Sequence, residues 1–126
     1  MLLMSSRRLP RNATASEPSC RPAEHAVRAV AGIRRGPIER AASLFRAIGD
    51  EGRLRSLVQL LAGESCVSQL ALTLGEQIPA VSRRLKQLSR EGLVRRRRTD
   101  RHVYYSLADE HVTTLLEQAI AHARGE

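Results

Sequence analysis

Two different apolar periods meet within one stretch of this chain, and their junction limits the possible folds more than any other feature. Over residues 78–90, Ile78, Val81, Leu85 and Leu88 recur at steps of three and four, which places them on one side of a helix. Pro79, Arg83, Lys86, Gln87 and Arg90 take the other side, with Ser82 at the margin. Gly92 ends that pattern. In the run RHVYYSL, Val103, Tyr105 and Leu107 then alternate with His102, Tyr104 and Ser106, the period of a half-buried strand. The preceding LVRRRR supplies a pairing strand, joined through Arg98-Thr99-Asp100-Arg101, where Asp100 tolerates the unusual backbone angle of a turn. A helix with one apolar and one cationic side, followed at once by a basic hairpin, has the pattern of a recognition element and a wing.

The segments around this junction are helical. Residues 65–74 predict a short helix separated from 78–90 by Gly75-Glu76-Gln77, a connection of helix-turn-helix length. Asp50 is placed to cap a helix that buries Leu54, Leu57, Val58, Leu60 and Leu61 and stops at Gly63. Pro37 suits the first turn of the helix before it, in which Ile38, Ala41, Ala42, Phe45 and Ile48 repeat until Gly49. A further short helix is expected over residues 23–33. At the other end, Val112, Leu115, Leu116, Ala119, Ile120 and Ala123 form the stripe of a C-terminal helix. Residues 1–22 contain Pro10, Pro18 and Pro22, lack a sustained period, and predict a flexible basic arm. The expected architecture is mainly α with a β-hairpin wing, a winged helix-turn-helix domain for DNA binding and dimerisation over residues 23–126. Aromatic residues make up only 2% of the chain, so its core has modest payload and a homodimer is expected.

Charge is concentrated where that architecture would use it. The chain carries a formal +8, and residues 78–106 alone hold nine Lys or Arg against Glu91 and Asp100, whereas residues 107–126 are net negative. Such a footprint fits double-stranded operator DNA. Gln77, Ser82, Arg83 and Lys86 are the residues expected in the major groove, with Arg97, Arg98 and Arg101 of the wing on phosphate or in the adjacent minor groove. RNA fits less well, because Tyr104 is the one stacking residue expected to be exposed. No apolar run approaches the ~18 residues of a membrane span. Met1-Leu2-Leu3-Met4 is too short for a secretory signal, and two cysteines make no disulfide framework, so a cytoplasmic protein is expected.

The histidines suggest a second chemistry. His111 and His122 lie 11 positions apart on the C-terminal helix, which leaves them about 20° apart in azimuth and roughly 16 Å apart along the axis. One zinc ion, with bonds of ~2.0–2.1 Å to imidazole, cannot take both from one chain. If two copies of the helix pack antiparallel across a twofold axis, His111 of one chain comes beside His122 of its mate. Asp109 precedes the first histidine and Glu126 follows the second, so each of two sites would hold Asp109 and His111 from one chain with His122 and Glu126 from the other. Two imidazoles and two carboxylates suit Zn(II), with Co(II), Cd(II) or Ni(II) as alternatives. In the bland alternative Asp109 is only a helix cap and the histidines are polar interface residues. Cys20, His25 and Cys66 form a second, weaker metal or thiol set that requires the arm to fold back.

From Leu44 onward the runs LFRAIGDEGRLRSLVQLLAGESCVSQLA, PAVSRRLKQLSREGLVRRRRTDRHVYYSL and ADEHVTTLLEQAIAHARGE resemble the ArsR/SmtB family of bacterial winged-helix metal sensors, over about two thirds of the chain. The resemblance implies a homodimeric repressor that leaves an inverted-repeat operator when metal binds. Asp109-x-His111 followed by His122 resembles the C-terminal-helix site of the zinc-sensing branch; that pattern has Glu or His where this chain has Gly125, with Glu126 next. The family's other site often has Cys-x-Cys or Cys-x-x-Asp, where this chain has Cys66-Val67-Ser68-Gln69, and Cys20 and His25 resemble its arm ligands. The alternatives are a repressor of the same fold sensing oxidant or persulfide through Cys20 and Cys66, and, more remotely, a zinc hydrolase. Catalysis needs an open coordination position and a substrate pocket, which four protein ligands on a helical seam do not supply, so no enzyme is expected.

Overall fold

A computed structural model describes residues 34–126 together with Arg21, Ala23, Ala26, Ala31 and Gly32. The arm expected over residues 1–22 and the helix expected over 23–33 therefore lie, for the most part, outside the described residues. The elements in order are α1 (Arg35–Ile48), α2 (Glu51–Gln59, extended by a 3-10 turn Leu60–Ala62), β1 (Ser65–Cys66), α3 (Val67–Leu74), α4 (Ile78–Arg90), β2 (Val94–Arg98), β3 (Val103–Leu107) and α5 (Glu110–Arg124).

Local chemistry sets the helix ends. Asp50 accepts the backbone N–H of Arg53 at 2.9 Å and starts α2, as expected of an N-cap. The Arg53 guanidinium turns back, donating to the carbonyls of Ala47 at 2.6 Å and Arg46 at 3.3 Å, and so covers the last turn of α1. Between the two helices of the helix-turn-helix, Gly75 has φ 68°, a left-handed angle natural to glycine, and the N–H of Glu76 closes onto the Ala71 carbonyl at 3.0 Å. Helix α1 begins at Arg35, two residues before Pro37, which still falls in the first turn where its missing N–H costs nothing.

The core gathers on α4. Val81, Leu85 and Leu88 are fully buried, against Leu57 of α2, Leu70 and Ala71 of α3, Leu93 just before β2, Val94 and Tyr105 of the sheet, and Val112 and Leu116 of α5. Burial of each such aliphatic side chain contributes about 1.5–3 kcal/mol, so truncating Leu85 would remove the central support of the recognition helix. Ile78 departs from the expected buried stripe: it is the first residue of α4, beyond the packed zone, and 51% exposed.

The wing has three strands rather than two. Ser65 and Cys66, expected to open a helix, are extended and pair antiparallel with Tyr105 and Tyr104, so β3 is central in the order β1-β3-β2. A two-residue strand has no period of its own and disappears into the helical pattern that follows it. The hairpin register is as the alternation requires, with Arg98 opposite Val103 and Val94 opposite Leu107, and Thr99 N–H closing the turn on the His102 carbonyl at 2.9 Å. Because β1 adds a neighbour to β3, Tyr104 is half-buried and not the exposed platform expected of it.

Candidate nucleic-acid interface and metal-ligating residues

The outer side of α4 forms an open groove lined by Pro79, Ser82, Arg83, Lys86, Gln87 and Arg90. Of the residues expected to read DNA, Gln77 is the exposed N-cap of α4, Arg83 and Lys86 are exposed, and Ser82 is half-buried at the groove's margin. Among the described residues no carboxylate lies within ion-pair distance of Arg83 or Lys86, so both present an uncompensated charge.

Arg84, which sequence reasoning passed over, holds this surface in place. Its Nη2 donates to Glu76 in the turn at 2.7 Å, and its Nη1 donates to the hydroxyl of Ser56 on α2 at 3.1 Å. Ser56 is fully buried and donates in turn to the Gly52 carbonyl at 3.2 Å. The guanidinium holds the Glu76 carboxyl below the usual carboxylate range. Arg84 thus ties α2, the turn and α4 together while Arg83, its neighbour, faces outward. Helical spacing sets Arg84, three after Val81 and four before Leu88, at the edge of the buried stripe and Arg83 opposite it; what spacing does not mark is the partner 28 residues away.

In the wing, Arg95, Arg96, Arg97, Arg98 and Arg101 are all exposed. Arg97 is occupied: it makes a two-point pair with Glu64 at 2.9 and 2.8 Å, and its guanidinium lies 4.7 Å from the centre of the Tyr104 ring. Each partner reinforces the other's charge, lowering the carboxyl's pKa and raising the guanidinium's.

The four residues considered for metal lie two at each end of α5, and only Asp109 and His111 stand side by side. Asp109 caps the helix, accepting the Val112 N–H at 3.1 Å, and the same oxygen stands 3.8 Å from Nδ1 of His111. That leaves its other oxygen outside the cap. His111 is 98% exposed. At the far end Gly125, at φ 85°, carries the chain out of the helix, so Glu126 lies just past it, 3.5 Å from Arg124, while His122 is exposed on the last turn. Among the described residues of a single chain, no three metal-ligating side chains converge. The donor set fits a divalent ion in its chemistry, two imidazoles and two carboxylates on an uncovered helix, but only if a second copy brings the other end alongside. Cys66, half-buried at the start of α3, stands 3.4 Å from the Ser68 hydroxyl; that bond, with a contribution from the Gln69 N–H, lowers the thiol's pKa. Cys20 and His25 lie outside the described residues.

A recognition helix braced from behind, with a cationic groove in front and an arginine-bearing sheet beside it, makes up a winged helix-turn-helix domain. The chain belongs to the ArsR family of bacterial regulatory proteins, whose family model matches residues 50–96. It is 40% identical over 84 residues to a transcriptional repressor SmtB homolog of Synechocystis sp., a match covering 67% of this chain and 64% of that protein. The chain thus spans just under two thirds of that relative's length. It is 37% identical over 84 residues to a cadmium resistance transcriptional regulatory protein, a CadC homolog of Staphylococcus aureus, covering 66% of this chain and 69% of the relative. Among solved structures, a homodimeric winged helix-turn-helix DNA-binding domain from Mycobacterium bovis, a possible ArsR-family transcriptional regulator, superposes with a TM-score of 0.68 at 26% identity, covering 78% of this chain and 91% of the other. These relatives are described as transcriptional regulators. No described helix is long and apolar enough to cross a membrane.

Proposed function

We propose that this protein is a metal-responsive repressor that binds an inverted-repeat operator as an apo homodimer and is released when Zn(II) or a similar divalent ion binds between the C-terminal helices. The observation that carries this reading is the placement of Asp109 with His111 at one end of α5 and of His122 with Glu126 at the other, on a helix whose polar face is open. Two antiparallel copies of such a helix bring unlike ends together twice, once at each end of the pair. The names of the two relatives, a repressor and a cadmium resistance regulator, support a metal as the signal.

Dimerisation follows from a second face. Ile38 and Phe45, seven residues apart on α1, are 53% and 58% exposed, while Leu44 and Ile48 of the same helix pack on the core. An apolar pair left uncovered on one chain suits a second copy, and the similar Mycobacterium bovis domain is homodimeric.

In the apo dimer the two α4 helices enter major grooves about 34 Å apart. Arg83 and Lys86 donate to base edges or phosphate, Gln77 and Ser82 add neutral hydrogen bonds, and Arg98 and Arg101 meet the flanking backbone. A bound ion supplies a crosslink between subunits that favours one dimer geometry over another. By linkage, metal weakens DNA binding by the factor by which DNA weakens metal binding, and couplings of about 1–3 kcal/mol are usual.

The deciding experiment is an operator-release assay across Zn, Co, Ni, Cd and Cu for the parent, His111→Ala and His122→Ala. The expected result is release of the parent by Zn and retention of both variants on DNA. Release of the variants at the parent's metal concentration excludes the site on α5.

A further inference from the structure

We propose that Glu64 withholds Arg97 from DNA, so that one wing arginine is spent inside the protein and non-specific attraction to phosphate is correspondingly reduced. The inference rests on the DNA-binding reading and adds a residue that sets affinity and its salt dependence from outside the interface.

Three observations carry it. The first is register: Arg97 on β2 stands opposite Tyr104 on β3, which stands opposite Cys66 on β1, and Glu64 precedes that strand. With strands about 4.8 Å apart, the Arg97 side chain must run across the width of the sheet to meet Glu64. It therefore leads away from the free edge of β2. The second is the quality of the anchorage. Both carboxylate oxygens accept from the guanidinium, at 2.9 and 2.8 Å, and the Tyr104 ring supports the cation 4.7 Å from its centre. A phosphate would have to replace a two-point charged contact and a stacked ring together. The third is contrast. Arg95, Arg96, Arg98 and Arg101 have no carboxylate within ion-pair distance among the described residues, so the neutralisation is selective for one position in a run of like residues.

The consequence lies in the sequence-independent part of binding. Each cation placed on phosphate releases a counterion and strengthens binding to any sequence, with log K falling by about 0.9 per unit of log salt for each contact. A wing arginine held on Glu64 adds nothing to that term, while the base contacts of α4 are untouched. Affinity for DNA of any sequence is therefore lower, and less dependent on salt, than the wing's composition implies.

The test is binding of the full chain to a random-sequence DNA duplex, followed by fluorescence anisotropy over a range of salt. Glu64→Gln is expected to steepen the slope of log K against log salt by about 0.9 and to tighten binding at low salt. Arg97→Gln is expected to keep the parent's slope, and the double variant to return to it. Glu117→Gln, which changes net charge equally but lies on α5, is expected to leave the slope unaltered. The proposal is overturned if Arg97→Gln flattens the parent's slope, because Arg97 then reaches phosphate despite Glu64. It is also overturned if Glu64→Gln changes nothing, or changes no more than Glu117→Gln. Circular dichroism melts accompany each arm; should Glu64→Gln unfold, Glu64→Ala and Glu64→Asp carry the same comparison. A parent whose binding ignores salt defeats the DNA-binding reading itself, which separates that failure from this one.

Discussion

Gly52 lies beneath the guanidinium of Arg84, so close that a Cβ built on it would stand 2.9 Å from Nη2 and 3.2 Å from Cζ. The end of an arginine is ordinarily free to move aside, but this one is tied to Glu76 and Ser56. The absence of a side chain at position 52 is what lets the recognition helix be fastened to α2 through its own arginine.

Gly52→Ala is therefore expected to destabilise the protein although it sits in a helix. Alanine gains up to about 1 kcal/mol of helix propensity over glycine, less in a first turn. Displacing the guanidinium loses charge-assisted hydrogen bonds of about 1.5–3 kcal/mol each, and the second term wins. In an Arg84→Ala background the obstacle is gone and the same substitution should stabilise. A double-mutant cycle by urea unfolding checks the change of sign; additive effects would refute the account.

The Arg84–Glu76 pair also predicts a pH dependence. The Glu76 carboxyl titrates below its ordinary value in the folded protein, so its contribution is complete above the unfolded value of about 4.3 and is lost as pH falls through the depressed folded value. At neutral pH, Glu76→Gln should cost about 1–2 kcal/mol, since the side chains are 17% and 27% exposed. Thermal melts of parent and variant should converge as the solution is taken to strong acid. A constant gap would mean that the carboxylate's charge is irrelevant.

Both the readable and the unreadable parts of this molecule have physical causes. The recognition helix and hairpin were legible because burial on one side writes a period into the sequence, and α4 and β3 follow it at Val81, Leu85, Leu88 and Tyr105. The cap at Asp50 was legible because its chemistry is local. What periodicity could not convey was long-range pairing. Arg84 reaches Ser56, 28 residues earlier, and Arg97 reaches Glu64, 33 residues earlier, and no period marks either partner. The strand at Ser65–Cys66 exists only because β3 is there to pair with it. Asp109 fills the helix-cap role and sits beside His111 at once, so the sequence alternatives for this residue are compatible.

Phe45 provides a direct test of the dimer. A phenylalanine 58% exposed on α1, in line with Ile38, leaves apolar area to water that a second chain would remove. Burial of such a side chain contributes about 1.5–3 kcal/mol, and each chain of a symmetric pair supplies one. Phe45→Glu also sets two like charges at the same interface, so dimer dissociation should strengthen by at least about 100-fold. Sedimentation equilibrium measures it, with circular dichroism confirming that the monomer stays folded. An unchanged dissociation constant would place the interface elsewhere.

Cys66 separates the metal reading from its thiol rival. The Ser68 hydroxyl, 3.4 Å from its sulfur, favours the thiolate, with the Gln69 N–H contributing in the same direction. Cys66 should therefore react with iodoacetamide at neutral pH faster than Cys66 in a Ser68→Ala variant, which lacks that donor. Reactivity alone does not make the thiol the sensor. If the α5 residues carry regulation, replacing both Cys20 and Cys66 with serine should leave zinc-driven release from the operator within about twofold of the parent, because neither sulfur belongs to the site at Asp109 and His111. If the thiols carry it, the same double variant should remain on DNA under oxidant or persulfide while the parent leaves. Loss of the zinc response on removal of the cysteines would shift the regulatory site from the C-terminal helix to the start of α3, and the exposed face of α5 would then serve dimerisation only.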